Sequence, residues 1–164
     1  MRLYAAALAM STMFLAACGG DNTNATDSAD AAPVEGAAET PAATTAGTMM
    51  PVTGTTHEIQ MVGDAQGYRF EPAELTIAAG DGVKFIMVSG APHNVDFQAD
   101  GIPAGAAAQL GANIPEKGGE LGTPIYTELG KEITISFAGL PAGEYNFNCT
   151  PHLPMGMVGK ITVQ

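Results

Sequence analysis

The sequence predicts an all-β fold, an antiparallel sandwich or Greek-key barrel of about eight strands preceded by a disordered tether. Short alternating or apolar segments follow one another, separated by glycine and proline, and no long amphipathic helix pattern occurs among them. The alternation is clearest in EITISF at 132–137, where the two isoleucines and the phenylalanine share one side of a strand. A chain of 164 residues favours one modest core with additional segments over two full domains.

The strand pattern occurs in eight segments, each bounded by turn residues. Residues 101–122, which include GAAAQLG, lack this pattern and are predicted to form a long excursion or to carry a short helix. In chain order the strand segments are HEIQMVG (57–63), YRFEPAELTIAAG (68–80), GVKFIMVSG (82–90), HNVDFQAD (93–100), PIYTELG (124–130), KEITISFAGL (131–140), GEYNFNC (143–149) and MVGKITVQ (157–164).

Residues 1–17 have the features of a secretory signal peptide. Arg2 precedes an uncharged apolar run that is about half as long as a membrane-spanning helix and ends in small residues. The sequence LAAC at 15–18 resembles the bacterial lipobox, in which the cysteine becomes the lipidated first residue of the mature protein. We therefore expect an exported protein, periplasmic or at the cell surface, that is anchored to a membrane by acyl chains on Cys18. Gly19 fits export to an outer membrane where the host has one, and an unlipidated signal peptide is the alternative.

Residues 18–52 are predicted to form a disordered linker between the lipidated cysteine and a folded domain at 53–164. The linker is rich in alanine, threonine, aspartate, glycine and proline, and it has neither an aromatic residue nor a hydrophobic period. Such a composition cannot bury enough apolar surface to fold, so we expect the segment to act as a spacer.

The charge balance of the chain is strongly acidic. The chain has 17 acidic residues (Asp and Glu) and 6 basic residues (Lys and Arg). Cleavage of the signal peptide removes Arg2 and leaves 5 basic residues. A protein with this balance is repelled by phosphates, so no nucleic acid partner is expected. We expect a monomer that meets other proteins and, through its anchor, a membrane.

The chemistry-bearing residues are concentrated in GAPHNV at 90–95 and in CTPHLPMGM at 149–157. With the other cysteine used as an anchor, Cys149 is the remaining thiol in an oxidising compartment, where an exposed thiol is a liability unless it has a partner. Two imidazoles, of His93 and His152, together with this thiolate suit a copper ion. Blue-copper sites add a weak axial thioether, for which Met155 and Met157 are both available.

The chain resembles a cupredoxin, a type 1 blue copper protein, of the plastocyanin and amicyanin group. The resemblance lies in FEPAELTIAAGDGVKF (70–85), GAPHNVDFQADGIP (90–103) and CTPHLPMGMVGKITV (149–163). It implies a cupredoxin-like Greek-key β-sandwich, one type 1 copper ion as cofactor, and His93, Cys149, His152 and Met157 as its ligands. Met157 is preferred because, as in that family, it stands two residues before the Gly-Lys that opens the last strand. Met155 has the amicyanin spacing and is the alternative ligand, otherwise expected at the rim of the site.

The resemblance also implies electron transport and no enzymatic activity. Asn94 matches the residue that ties the two ligand loops together in the family. His57 matches no ligand position and is expected at the surface. Electrons are expected to pass through an apolar patch around the C-terminal histidine, which we call the His152 surface: His152, Pro92, Pro151, Leu153 and Tyr68.

The expected partners are redox proteins such as a c-type cytochrome or a terminal oxidase. The residue before the cysteine is Asn148, where plant-type plastocyanins have a tyrosine that serves a second, acidic docking face, so that second route is not assumed. The alternative function is a copper-binding or delivery protein that uses the same ligands without carrying electrons.

Overall fold

The computed structural model describes residues 47–164, which belong to one compact unit. The predicted signal peptide, Cys18 and the linker up to residue 46 lie outside the described residues, so their assignments stay predictions. Within 47–164 no helix has both the length and the apolar composition needed to cross a membrane. The strands are β1 (Thr56–Asp64), β2 (Gly67–Glu71), β3 (Glu74–Ile77), β4 (Gly82–Met87), β5 (Asp96–Phe97), β6 (Glu132–Ser136), β7 (Gly143–Asn148) and β8 (Val158–Val163).

The eight strands of the described region form two four-stranded sheets, which confirms the predicted β-sandwich. One sheet has the order β2-β1-β4-β6 and the other β3-β8-β7-β5. The sheets are mixed, because β1 pairs with β4 and β3 pairs with β8 in parallel, whereas the other pairs are antiparallel. The chain leaves the first sheet after Glu71, forms β3 beside β8 in the second sheet, and returns to the first at Gly82, where β4 lies beside β1.

Two of the predicted strand segments differ in the structure. The segment 68–80 becomes two strands in different sheets, separated at Pro72, which has no backbone N–H to donate to a ladder. The segment 124–130 forms no strand and makes only a single bridge, between Tyr126 and His93. The excursion at 101–122 contains one short helix, α1 (Ala107–Asn113), which agrees with one of the two forms expected for it.

The core between the sheets is built around Phe147 of β7. Its ring lies 4.7 Å from that of Phe70, 5.5 Å from that of Phe85 and 5.6 Å from that of Phe97, measured between ring centroids. Such edge-to-face and tilted contacts add stabilisation beyond burial alone. Gly159 of β8 is required opposite this ring, because a side chain there would collide with Phe147.

The first described residues are held against α1 and the end of β6. The buried Asn113 side chain donates to the carbonyl oxygens of Ser136 and Ala138, both at 2.9 Å, and accepts a hydrogen bond from the Met50 amide, also at 2.9 Å. These contacts lie where β4 begins, since Ser136 pairs with Gly82. The opposite end of β4 leads into the loop that carries His93.

Candidate metal centre

The predicted ligands come from two loops at one end of the sandwich. His93 lies between β4 and β5, and Cys149 follows β7 directly. Because β5 and β7 pair in antiparallel register, with Asp96 opposite Asn148, the residues before β5 and after β7 meet at the same edge. His152 belongs to a 3₁₀ helix (Thr150–Met155) that returns the chain toward β8.

Three donor atoms converge inside this end of the protein. The Nδ1 atoms of His93 and His152 are 3.2 Å apart, and the Cys149 Sγ lies 3.5 Å from the first and 3.4 Å from the second. All three residues are buried, and their ligand atoms lie within 4.8 Å of one another. Nitrogens bound at about 2.0 Å in a trigonal plane are separated by about 3.5 Å, so this triangle accepts one ion with little rearrangement.

The protonation of these groups follows from their burial. Desolvation lowers the pKa of His93 and of His152, where the neighbouring His93 lowers it further, so both rings favour the neutral form that binds metals. Burial raises the pKa of the Cys149 thiol, although hydrogen bonding from backbone amides opposes the change. A bound cation reverses this preference, because a coordinating thiol is deprotonated.

The orientation of the His93 ring is fixed by a hydrogen bond to the backbone. His93 Nε2 lies 2.8 Å from the carbonyl oxygen of Ser89, which can only accept, so Nε2 carries the proton and Nδ1 keeps its lone pair. The His93 backbone is also paired with Tyr126 through bonds of 3.0 and 2.8 Å. The sequence carries no local signal for either contact, since both depend on backbone groups that the fold brings together.

The two candidate axial methionines occupy different environments. Met157 is fully buried, its amide donates to the carbonyl of His152 at 3.2 Å, and its own carbonyl accepts from the Cys149 amide at 3.1 Å. Met155 is 55% exposed. Met157 is therefore buried and joined through its backbone to Cys149 and His152, whereas Met155 lies at the surface.

Asn94 connects the two ligand loops. Its Oδ1 accepts from the Thr150 amide at 2.7 Å, and its Nδ2 donates to the Thr150 hydroxyl at 3.1 Å. Thr150 stands directly after Cys149, so the side chain of Asn94 holds the loop that follows β7 against the loop that precedes β5.

Of the residues of the His152 surface, Tyr68 contacts the imidazole of His152 directly. The Tyr68 ring is stacked on that imidazole, with 3.7 Å between centroids and 12° between planes. Pro92 and Pro151 are half-buried beside the two histidines in sequence, and Leu153 is 46% exposed. The family resemblance predicted Tyr68 in this surface, but the sequence carries no signal for its stacking on the ring.

His57 lies apart from this centre. It is the second residue of β1, paired with Val83 near the start of β4, and its Nε2 lies 2.8 Å from a carboxylate oxygen of Asp81. The structure therefore brings together His93, Cys149 and His152 and leaves the third histidine at the other end of the sandwich.

A β-sandwich that buries two imidazoles and one thiol between its loops defines a mononuclear copper protein of the cupredoxin class. The family described as "Copper binding proteins, plastocyanin/azurin family" matches residues 57–164 of this chain. The chain belongs to this family, and copper is its cofactor.

The relatives of the chain agree with this assignment. The plastocyanin of Prochlorothrix hollandica is 38% identical over 123 residues, which cover 73% of this chain and 84% of that protein. The plastocyanin of Rumex obtusifolius is 36% identical over 107 residues, which cover 65% of this chain and 99% of that protein. Among solved structures, the oxidised plastocyanin of Dryopteris crassirhizoma superposes with a TM-score of 0.52 at 29% identity, covering 66% of this chain and all (100%) of that one. The predicted resemblance and fold class are confirmed.

Proposed function

We propose that this chain is a lipid-anchored electron carrier outside the cytoplasm, and that His93, Cys149, His152 and Met157 hold its type 1 copper ion. Bound there, the ion supplies one-electron chemistry by alternating between Cu(I) and Cu(II). The observation that carries the proposal is the buried triangle of donor atoms, whose sides of 3.2, 3.4 and 3.5 Å already suit one ion.

The residues around the triangle favour electron transfer over catalysis. The donors are buried and tied to one another through the backbone of Met157 and the side chain of Asn94. A closed ligand set leaves no position for a substrate, in contrast to catalytic metal sites, which keep one open. Burial also argues against rapid handover of the ion, so an electron carrier is favoured over a delivery protein.

The proposed route for electrons is the His152 surface. The His152 residue itself is only 5% exposed, and it is bordered by Leu153, which is 46% exposed. A small apolar surface of this kind suits weak, transient docking.

The charge of the domain supports a partner with a basic surface, such as a c-type cytochrome. From residue 51 onward there are 12 acidic and 5 basic residues. Four of the basic side chains, on Arg69, Lys84, Lys131 and Lys160, form ion pairs with neighbouring carboxylates, and the remaining acidic groups outnumber the one remaining basic group. The rate of electron transfer to such a partner should fall as salt is added, because screening weakens steering. A rate that is independent of ionic strength would contradict this choice of partner.

The anchor and the location rest on the sequence alone. Mass spectrometry of the protein purified from its host membrane should find a mature chain that begins at Cys18 and carries acyl groups. A chain that retains an unmodified cysteine there, or that lacks it, would overturn the anchor and leave the metal site unaffected.

The function itself is tested on the purified chain loaded with one equivalent of Cu(II). An intense blue thiolate-to-copper absorption and a narrow copper hyperfine splitting are expected, with both lost in Cys149→Ser. Reversible reduction without loss of copper to an added chelator would support the carrier. A pale complex, or rapid transfer of the ion to the chelator, would favour the copper-binding and delivery function instead.

A further inference from the structure

The two histidines of the centre are held in different ways. The His93 ring is fixed through its Nε2 by the carbonyl of Ser89 at 2.8 Å. For His152, no hydrogen bond joins Nε2 to any residue in the range 47–164, and its Nδ1 faces the other two donors. The plane of the His152 ring therefore depends on contacts other than a hydrogen bond at Nε2.

The Tyr68 ring provides such a contact. It lies parallel to the His152 imidazole at 3.7 Å and 12°, and it meets the His93 ring edge to face at 6.1 Å and 65°. One half-buried side chain thus borders both imidazoles. Aromatic pairs in such geometry are favourable beyond the area that they bury.

The position of Tyr68 is determined by the strands beneath it. Tyr68 of β2 stands opposite Gly63 of β1, and a Cβ on Gly63 would lie 2.7 Å from two carbons of the tyrosine ring. The same Cβ would approach the Cα of Gly90 to 2.8 Å. Gly90 has a φ of +74° and lies in the loop that leads to His93. Glycine is therefore needed at position 63, where β1 passes close to both the ring of Tyr68 and the backbone of Gly90.

We infer that Tyr68 is a positioning residue, which holds the His152 imidazole in the plane that its metal-binding nitrogen requires. This inference rests on the metal centre proposed above and assigns to Tyr68 a role distinct from docking. Stacking of this strength shifts an equilibrium between ring orientations by about two- to tenfold. The phenol hydroxyl takes no part, so phenylalanine at this position should serve as well as tyrosine.

The first test needs no metal. In the metal-free full chain, proton NMR should show the His152 ring protons shifted upfield by the stacked ring, with nuclear Overhauser contacts between the His152 and Tyr68 rings. Tyr68→Phe should keep the upfield shift and Tyr68→Leu should lose it. Tyr126→Leu is the matched control, since this tyrosine borders His93 through its backbone and should leave the His152 resonances unchanged. If the parent chain shows no nuclear Overhauser contacts between the His152 and Tyr68 rings, the inference is wrong whatever the variants show.

The second test measures the consequence for metal binding with zinc as the probe. If only the stacked orientation binds, the apparent dissociation constant for Zn(II) rises as that orientation becomes rarer. Tyr68→Leu should weaken Zn(II) binding by about two- to tenfold, with Tyr68→Phe close to the parent. Equal affinities in Tyr68→Leu and the parent, or an equal loss in Tyr68→Phe, would refute the positioning role. If NMR shows the stacked ring in the metal-free chain but the copper form is not blue, the result counts against the proposed function and leaves the stacking of Tyr68 on His152 intact.

Discussion

Replacement of Asn94 by alanine tests whether the two ligand loops are held together before any metal binds. The side chain accepts from the Thr150 amide at 2.7 Å and donates to the Thr150 hydroxyl at 3.1 Å, and Asn94 is 5% exposed. Alanine leaves the amide without its acceptor, which costs about 1–3 kcal/mol when the group is shielded from water. Thr150 as a whole is exposed, so its hydroxyl recovers a water partner and adds little. Because Thr150 is exposed, we expect a loss near the lower end of this range, about 1 kcal/mol in the free energy of unfolding.

The assay is urea unfolding of the metal-free chain, followed by electron paramagnetic resonance of the Cu(II) form. Asn146→Ala is the matched control, because Asn146 lies exposed on β7 and its side chain has no part in the ligand loops. Asn94→Ala should be less stable than this control and should give a broader copper signal, since the loop after Cys149 is no longer fixed. Equal stability of the two variants would refute the argument that this side chain ties the loops.

Three further predictions concern the axial ligand, the anchor of α1 and the response to acid. Met157→Leu should change the visible spectrum and the reduction potential of the copper form, whereas Met155→Leu should leave both unchanged; the reverse pattern would make Met155 the ligand. Asn113→Ala should cost about 3 kcal/mol in urea unfolding, because two buried carbonyls and one amide lose their partner, and a loss below about 1 kcal/mol would contradict that role. Hydrogen bonds from His57, and then from backbone amides, lower the pKa of the Asp81 carboxyl below its ordinary value of 3.8. The ionised carboxylate therefore stabilises the fold at pH values above 3.8, and this stabilisation is lost as the pH falls through the lower pKa of the folded state. Stability of Asp81→Asn, measured by unfolding between pH 7 and pH 2, should therefore depend less on acid than that of the parent, and parallel curves would refute the assignment.

The sequence predicted what is encoded locally. The alternation at 132–137 became β6, and the dense run from Cys149 to Met157 carries most of the chemistry within one loop, so both are visible without a fold. The grouping of that run with His93 came from the ligand chemistry of copper and was then supported by the family resemblance, because no local pattern joins residues that lie 56 positions apart.

The failures of prediction have a common physical cause. The segment 124–130 alternates like a strand, yet it forms one isolated bridge, between Tyr126 and His93, because the pairing does not continue along a neighbouring strand. Ser89 and Tyr126 hold His93 through main-chain atoms. Because every residue has such atoms, the identity of the side chain cannot reveal these contacts. The stacking of Tyr68 depends on the register of β1 and β2 and on the close approach of Gly63 and Gly90, which only the folded chain determines.

The same contacts explain why this centre suits electron transfer. An electron carrier is efficient when its ligands move little between oxidation states, and here each of the three converging donor residues is fixed by a contact within the protein. His93 is held by Ser89, Cys149 by its backbone bond to Met157, and His152 by the stacked ring of Tyr68 together with its own carbonyl bond. Because these constraints act on the side chains and the backbone before an ion arrives, the protein rather than the oxidation state sets the geometry. That is the property which separates a carrier from a protein that must open to deliver its metal.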